Sequence, residues 1–166
     1  MKFLGIGFDP VNWQKISMMT FLPIDIDDQQ DTRFTSDPEQ LMVVNVFTDL
    51  YKKVGFNKPW IAYFLQNENN DIVGGGGFKG KPIDGRVEIS YGTFKKFEGL
   101  GIGTAICRQL VEIARQTDST LTLTARTLPD NEPSIRILKR NGFEYQGVVF
   151  DEEDGDVLEW VLKASA

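Results

Sequence analysis

Three glycines spaced two apart, Gly99, Gly101 and Gly103, stand in the segment EGLGIGT (98–104) and are the residues with the clearest capacity for chemistry. Glycine lets a backbone turn several N–H groups toward one point and lets a ligand come close. A helix read directly after them adds unpaired N–H groups and the positive end of a peptide dipole. Together these make an anion cradle. The other reading is a tight strand–helix connection whose glycines serve packing alone, and the loop by itself leaves both open. The segment is not a P-loop, because no lysine follows Gly103. It also departs from the dinucleotide fingerprint. Counted from Gly99 the sixth place holds Thr104, and the next strand ends in Arg126 where an acid is required.

The chain contains no histidine, which removes imidazole catalysis and every histidine-containing metal site. With no histidine, a carboxylate is the natural candidate for any general base. Glu88 lies just upstream of the glycine loop in RVEISYGT (86–93), where Val87, Ile89 and Tyr91 alternate with Arg86, Glu88 and Ser90. Such alternation makes one face core and the other polar, so Glu88 is either a base or a solvated surface glutamate. The acidic run EEDGD (152–156) reads as a hairpin turn in preference to a calcium loop, and no metal is expected.

The elements that must position these residues follow from periodicity. ISMMTFLPI (16–24) reads as a strand. Asp37 and Pro38 start a helix over 38–54, with Val43, Phe47, Leu50 and Val54 at helical spacing and Gly55 to end it. WIAYFLQN (60–67) and DIVGGGGFKG (71–80) form a hairpin across ENN. Within it, Gly74 to Gly77 mark a bulge, a close backbone approach or room for substrate. Strand 86–93, helix 102–117 and strand 120–126 make a βαβ unit with a parallel pair. A second helix begins at Asn131 and ends at Asn141-Gly142. Strands 143–150 and 156–163 close the chain around Asp154-Gly155. An antiparallel meander joined to a βαβ unit predicts an α+β fold with a mixed, mostly antiparallel central sheet and flanking helices, not a doubly wound parallel sheet.

At 166 residues and 41% apolar content, residues 1–166 are read as a single domain that fills its own core. One cysteine, Cys107, precludes an internal disulfide and reads as a packing residue. The net charge of −6 disfavours nucleic acid and suits a cationic partner such as an amine. The short apolar run in MKFLGIGFDP closes at Asp9-Pro10, so neither a secretory signal nor a membrane span is expected, and the location is read as cytoplasmic.

Taken together the motifs resemble the GNAT family of N-acetyltransferases. The family's loop carries Gln or Arg, two residues, Gly, one residue, then Gly or Ala; Glu98, Gly99, Leu100, Gly101, Ile102 and Gly103 occupy that register here. NEPSIRILKRNGF (131–143) matches its Asn-led helix ending in Gly-Phe. EISY (88–91) and NEPS (131–134) are similar to the branch that acetylates ribosomal-protein N-termini. The resemblance covers about residues 60–163, and the first 55 match only in element order.

The resemblance implies a GNAT fold with acetyl-CoA as cosubstrate, bound where the fourth and fifth strands splay. It implies diphosphate contacts from the backbone of Gly99, Leu100, Gly101, Ile102, Gly103 and Thr104. Pantetheine would pair along Thr93 and Phe94, with a further contact from Asn131. It gives Glu88 as general base and Ser134 as partner of the leaving thiolate. Two positions depart from the common pattern: Leu138 stands where many members carry a catalytic tyrosine, and Glu98 where a basic or amide residue is usual. With Glu98 there, binding should rest on backbone amides, helped by Lys95, Lys96, Lys139 or Arg140. The expected function is acetyl transfer to a primary amine, either a protein N-terminus or a small molecule, by a monomer or homodimer. The alternatives are a catalytically silent module that holds CoA and a phosphate binder that does not use CoA.

Overall fold

The computed structural model describes residues 18–164. Its strands are β1 (Thr20–Pro23), β2 (Ala62–Gln66), β3 (Ile72–Phe78), β4 (Arg86–Thr93), β5 (Thr122–Thr127), β6 (Glu144–Asp151) and β7 (Gly155–Leu162). Its helices are α1 (Thr32–Thr35), α2 (Pro38–Val54), α3 (Ile102–Thr117) and α4 (Glu132–Arg140). The strands form one sheet in the order β1-β2-β3-β4-β5-β7-β6. Every neighbouring pair is antiparallel except β4 and β5, which are parallel around α3. This is the α+β arrangement expected from the element order. The expected first strand is shorter, beginning at Thr20, and residues 16 and 17 lie outside the described residues.

α2 begins and ends where its capping residues direct. The Asp37 carboxylate accepts the N–H groups of Glu39 and Gln40, Pro38 opens the helix, and Gly55 at φ +91° ends it. Its inward face is turned one position from the expected stripe. Val44, Phe47, Thr48 and Tyr51 are buried, Val43 and Leu50 only half so, and Val54 is exposed. The Tyr51 hydroxyl explains the turn: it donates to Ile24 O (3.0 Å) and accepts from Ala62 N–H (2.8 Å), tying the helix to β2 and the end of β1. Hydrophobicity alone does not see that polar anchor.

β3 is a strand of glycines because its neighbours leave no space. A β-carbon at Gly74 would stand 2.6 Å from Gly92 O, and one at Gly76 would stand 2.7 Å from Ser90 O and 2.9 Å from Ile106 Cγ2. α3 therefore lies directly on β3 through Ile106. Close approach is the reading that holds; the space is filled by protein and not left for substrate. Ile106, Cys107 and Leu110 of α3 are fully buried, and burial pushes the Cys107 thiol up to about 12, so it is a packing group. Phe78 is fully buried, with the half-buried Trp60 edge-on to it at 5.1 Å, so both belong to the core.

The parallel pair is short. β4 and β5 are in register only at Arg86–Thr122, Val87–Leu123 and Glu88–Thr124, and beyond Glu88 they part. Lys79 N–H donates to Glu88 O (2.9 Å) and Phe94 N–H to Val73 O (3.0 Å), so the even-numbered residues of β4 direct their backbone groups to β3. By alternation the N–H and C=O groups of Ile89, Tyr91 and Thr93 face the gap. The side chains divide as well. Tyr91 lies on the α3 side, whereas Glu88 and Ser90 lie on the other face, the one on which Phe34 of α1 packs against Phe64.

Candidate active site

A cleft of about 600 Å³ runs between the second half of β4, the glycine loop and the start of α4. Its floor is the N-terminus of α3. Gly99 (φ +76°) and Gly101 (φ +78°) take left-handed conformations that only glycine adopts without strain, and Gly101 is the residue that caps the helix. It offers no side chain to the first turn, which also holds no acid. The first helical bond runs from Ala105 N–H to Gly101 O (3.1 Å), and the N–H groups of the preceding residues remain for a ligand. Gly103 has a different task. A β-carbon there would lie 2.7 Å from Ile137 Cδ1 and 3.4 Å from Thr93 Oγ1, so its bareness lets α3, α4 and β4 converge under the cleft.

The opposite wall is the first two turns of α4. Asn131 lines the cleft and caps this helix, its Oδ1 accepting Ser134 N–H at 3.2 Å. Ser134 is half-buried, faces the cleft, and its hydroxyl has no hydrogen-bond partner among the described residues. Tyr91 reaches it from β4: the phenol donates to Ser134 O at 3.4 Å, and burial raises its pKa, so it stays a proton-bearing donor. Alternation had placed Tyr91 simply on the core face. Leu138 is fully buried and takes no part in the cleft.

The charges are arranged across the cleft. Glu98 sits on its rim, while Arg136 and Arg140, one turn apart on α4, line the other side. Neither arginine has an ion-pair partner among the described residues. Arg140 was among the cations expected from sequence; Arg136 was not. Lys96 lies over the Phe97 ring (5.3 Å) and Lys139 over Trp160 (5.9 Å), and neither these two nor Lys95 lines the cleft.

Of the expected donor-binding residues, Thr93, Gly99, Gly101, Ile102, Gly103, Thr104 and Asn131 are brought together here. Leu100 is not among them: it is exposed and lines an adjoining cleft of about 550 Å³ that shares Gly99, Gly101, Ile102 and Arg140. Phe94 also lies outside, its N–H spent on Val73 and its ring near Phe64. Glu88 does not line the cleft. It stands at the last position where β4 pairs with β5, on the opposite face, with Lys79 Nζ 2.8 Å from its Oε1. That contact is ionic without being an aligned hydrogen bond, and Oε1 itself is buried.

This geometry fits a long anionic ligand. An uncapped helix end and two unpaired arginines suit a diphosphate, and the free backbone edge of β4 suits an extended amide-bearing arm. Among the described residues no cluster of His, Cys, Asp or Glu could hold a metal ion, and no helix is long and apolar enough to cross a membrane.

Comparison with known proteins agrees with this geometry. The acetyltransferase (GNAT) domain model matches residues 13–144. The uncharacterized N-acetyltransferase YjdG of Bacillus subtilis (strain 168) is 29% identical over 108 residues, which is 64% of this chain and 60% of that protein. The match thus spans less than two thirds of the relative. Among solved structures, RimL, a ribosomal L7/L12 alpha-N-protein acetyltransferase in complex with coenzyme A, superposes with a TM-score of 0.66 at 17% identity, covering 89% of this chain and 95% of the other. A variant of the spermidine N-acetyltransferase SpeG from Vibrio cholerae gives a TM-score of 0.66 at 11% identity, covering 89% and 94%. At these identities the superpositions establish the fold.

Proposed function

Because the chain belongs to the acetyltransferase (GNAT) domain family, whose acyl donor is acetyl-CoA, we propose that it transfers an acetyl group from acetyl-CoA to a primary amine. The observation that carries this reading is the uncapped N-terminus of α3, set beneath the glycine loop and beside the gap between β4 and β5. Acetyl-CoA, once bound, supplies an activated acyl carbonyl and a thiolate leaving group. The backbone of Gly99 and of Gly101, Ile102, Gly103 and Thr104 holds the diphosphate, with Arg136 and Arg140 offsetting Glu98. The gap-facing edge of β4 offers N–H groups of Ile89, Tyr91 and Thr93, one of which donates to the carbonyl oxygen; losing such a donor typically lowers turnover by about 10²–10³.

The two catalytic candidates lie on opposite sides of β4. Glu88, at the foot of the gap, takes a proton from the incoming amine directly or through water. An amine must be neutral to attack, and a lysine-type amine titrates near 10.4 against about 8 for an α-amine. Ser134, across the gap with its hydroxyl uncommitted, donates a hydrogen bond toward the sulfur. With the thioester in the gap, Glu88 would take the proton as the amine adds to the carbonyl and Ser134 would support the thiolate as it leaves.

The acceptor is a protein N-terminus or a small-molecule amine. The two superposed relatives act, by their names, on a ribosomal protein and on a polyamine. The net charge of −6 favours a cationic acceptor of either kind. One observation favours a second reading, a module that holds CoA without turnover: Glu88 lies outside the cleft and is already paired with Lys79.

Thiol release measured with a panel of α-amines and side-chain amines separates the two. Turnover is expected, with Glu88→Gln lowering kcat by about 10²-fold and leaving acetyl-CoA affinity unchanged. Tight CoA binding without turnover on any amine means the silent module. Full turnover by the Glu88→Gln variant removes Glu88 as base.

A further inference from the structure

We propose that Lys79 is a positioning residue for this reaction: it anchors one oxygen of Glu88 and leaves the other free to receive the proton. The inference rests on the reading of Glu88 as general base.

Lys79 holds Glu88 twice. Its backbone N–H donates to Glu88 O at 2.9 Å, and its ammonium lies 2.8 Å from Glu88 Oε1. Its own backbone is fixed on both sides, because Phe78 is fully buried and Gly80, at φ +106°, packs against Val54. The two carboxylate oxygens are therefore unlike. Oε1 is buried against the lysine, whereas Oε2 carries no hydrogen bond among the described residues, and the side chain as a whole keeps 21% of its surface exposed. A glutamate on a sheet face samples several rotamers; pinning Oε1 leaves Oε2 as the one basic atom, at the foot of the gap.

The surrounding charges leave Lys79 as the direct partner. Arg86, two residues earlier on the same face, is drawn to Glu159 of β7 at 3.8 Å. The β5 residue beside Glu88 is Thr124, buried and uncharged.

A purely structural ion pair predicts something else: a small change in thermal midpoint with kcat and the amine KM unaltered. The deciding measurement is kcat and amine KM at saturating acetyl-CoA, with acetyl-CoA affinity and thermal midpoint recorded for each variant. In Lys79→Met, kcat falls about tenfold as the base loses its fixed rotamer, while the amine KM stays close to that of the parent. Acetyl-CoA affinity is unchanged. Lys79→Arg restores the rate, and Glu88→Gln lowers it by about 10²-fold. Should the methionine variant fail to fold, Lys79→Gln serves the same comparison. If Glu88→Gln loses turnover while the folded Lys79 variant keeps the parent kcat, the positioning role is overturned and the base assignment stands. If Glu88→Gln keeps the parent rate, both fall together.

Discussion

Helices α2 and α3 are almost equal in length, at 17 and 16 residues, and they begin in opposite ways. At α2 everything neutralises the positive helix end. Asp37 accepts two N–H groups, Pro38 needs none, and Glu39 adds an acid in the first turn. At α3 nothing does. Gly101 offers no side chain and the first turn contains no acid. A glycine in place of a capping side chain costs roughly a few tenths of a kcal/mol, a loss that α3 makes up elsewhere. It is held sideways, by Ile106 lying on the glycines of β3 and by Gly103 receiving Ile137. The same backbone dipole is consumed by the fold in one helix and kept for a ligand in the other.

Exchanging the two arrangements gives the largest expected effect. Gly101→Asp places a capping acid where the diphosphate should sit and forces a left-handed residue. The strain is about 1–2 kcal/mol and the repulsion at the helix end about as much again. CoA affinity measured by calorimetry should fall by about 100-fold, with Gly101→Ala reporting the strain alone. Affinity within threefold of the parent means the helix end is not the anion site.

The converse change should be felt only in stability. Asp37→Ala removes two hydrogen bonds from α2 and should lower stability by about 1 kcal/mol, a fall of about 2–4 °C in Tm. CoA affinity should not move; a matching loss of affinity would erase the contrast between the helices. The smallest effect belongs to the rim. Glu98→Gln removes a charge that opposes the ligand and should tighten CoA about two- to fivefold. The gain should fade as salt screens the field, and a loss of affinity instead would make Glu98 a binding residue.

Much of this scaffold was legible in the sequence. β4 and α3 occupy the residues that alternation and helical spacing assign to them, and α2 keeps its range because capping chemistry is local. What was not legible is what depends on pairing between distant segments. Periodicity says that Glu88 shares a face with Ser90; it does not say that Lys79 stands across from it, since that follows from the β3–β4 register. The Tyr91–Ser134 contact joins residues 43 apart. Arg136 could have been found: it lies one turn before Arg140 on the same helix, so one predicts the other's face. The inward face of α2 was misjudged because a hydroxyl, and not an apolar group, fixes it.

The glycines of β3 carry a consequence for how the molecule breathes. A strand built of Gly74 to Gly77 brings no side-chain packing of its own and loses more chain entropy on ordering than any other sequence would. Its order is borrowed from β2, β4 and the helix seated on it. The amides of these residues therefore exchange with solvent deuterium only when that whole group loosens. Ligand held at the start of α3 should slow their exchange from the far end of a lever, which would make this inner strand of the sheet a gauge of occupancy at a loop it does not contain.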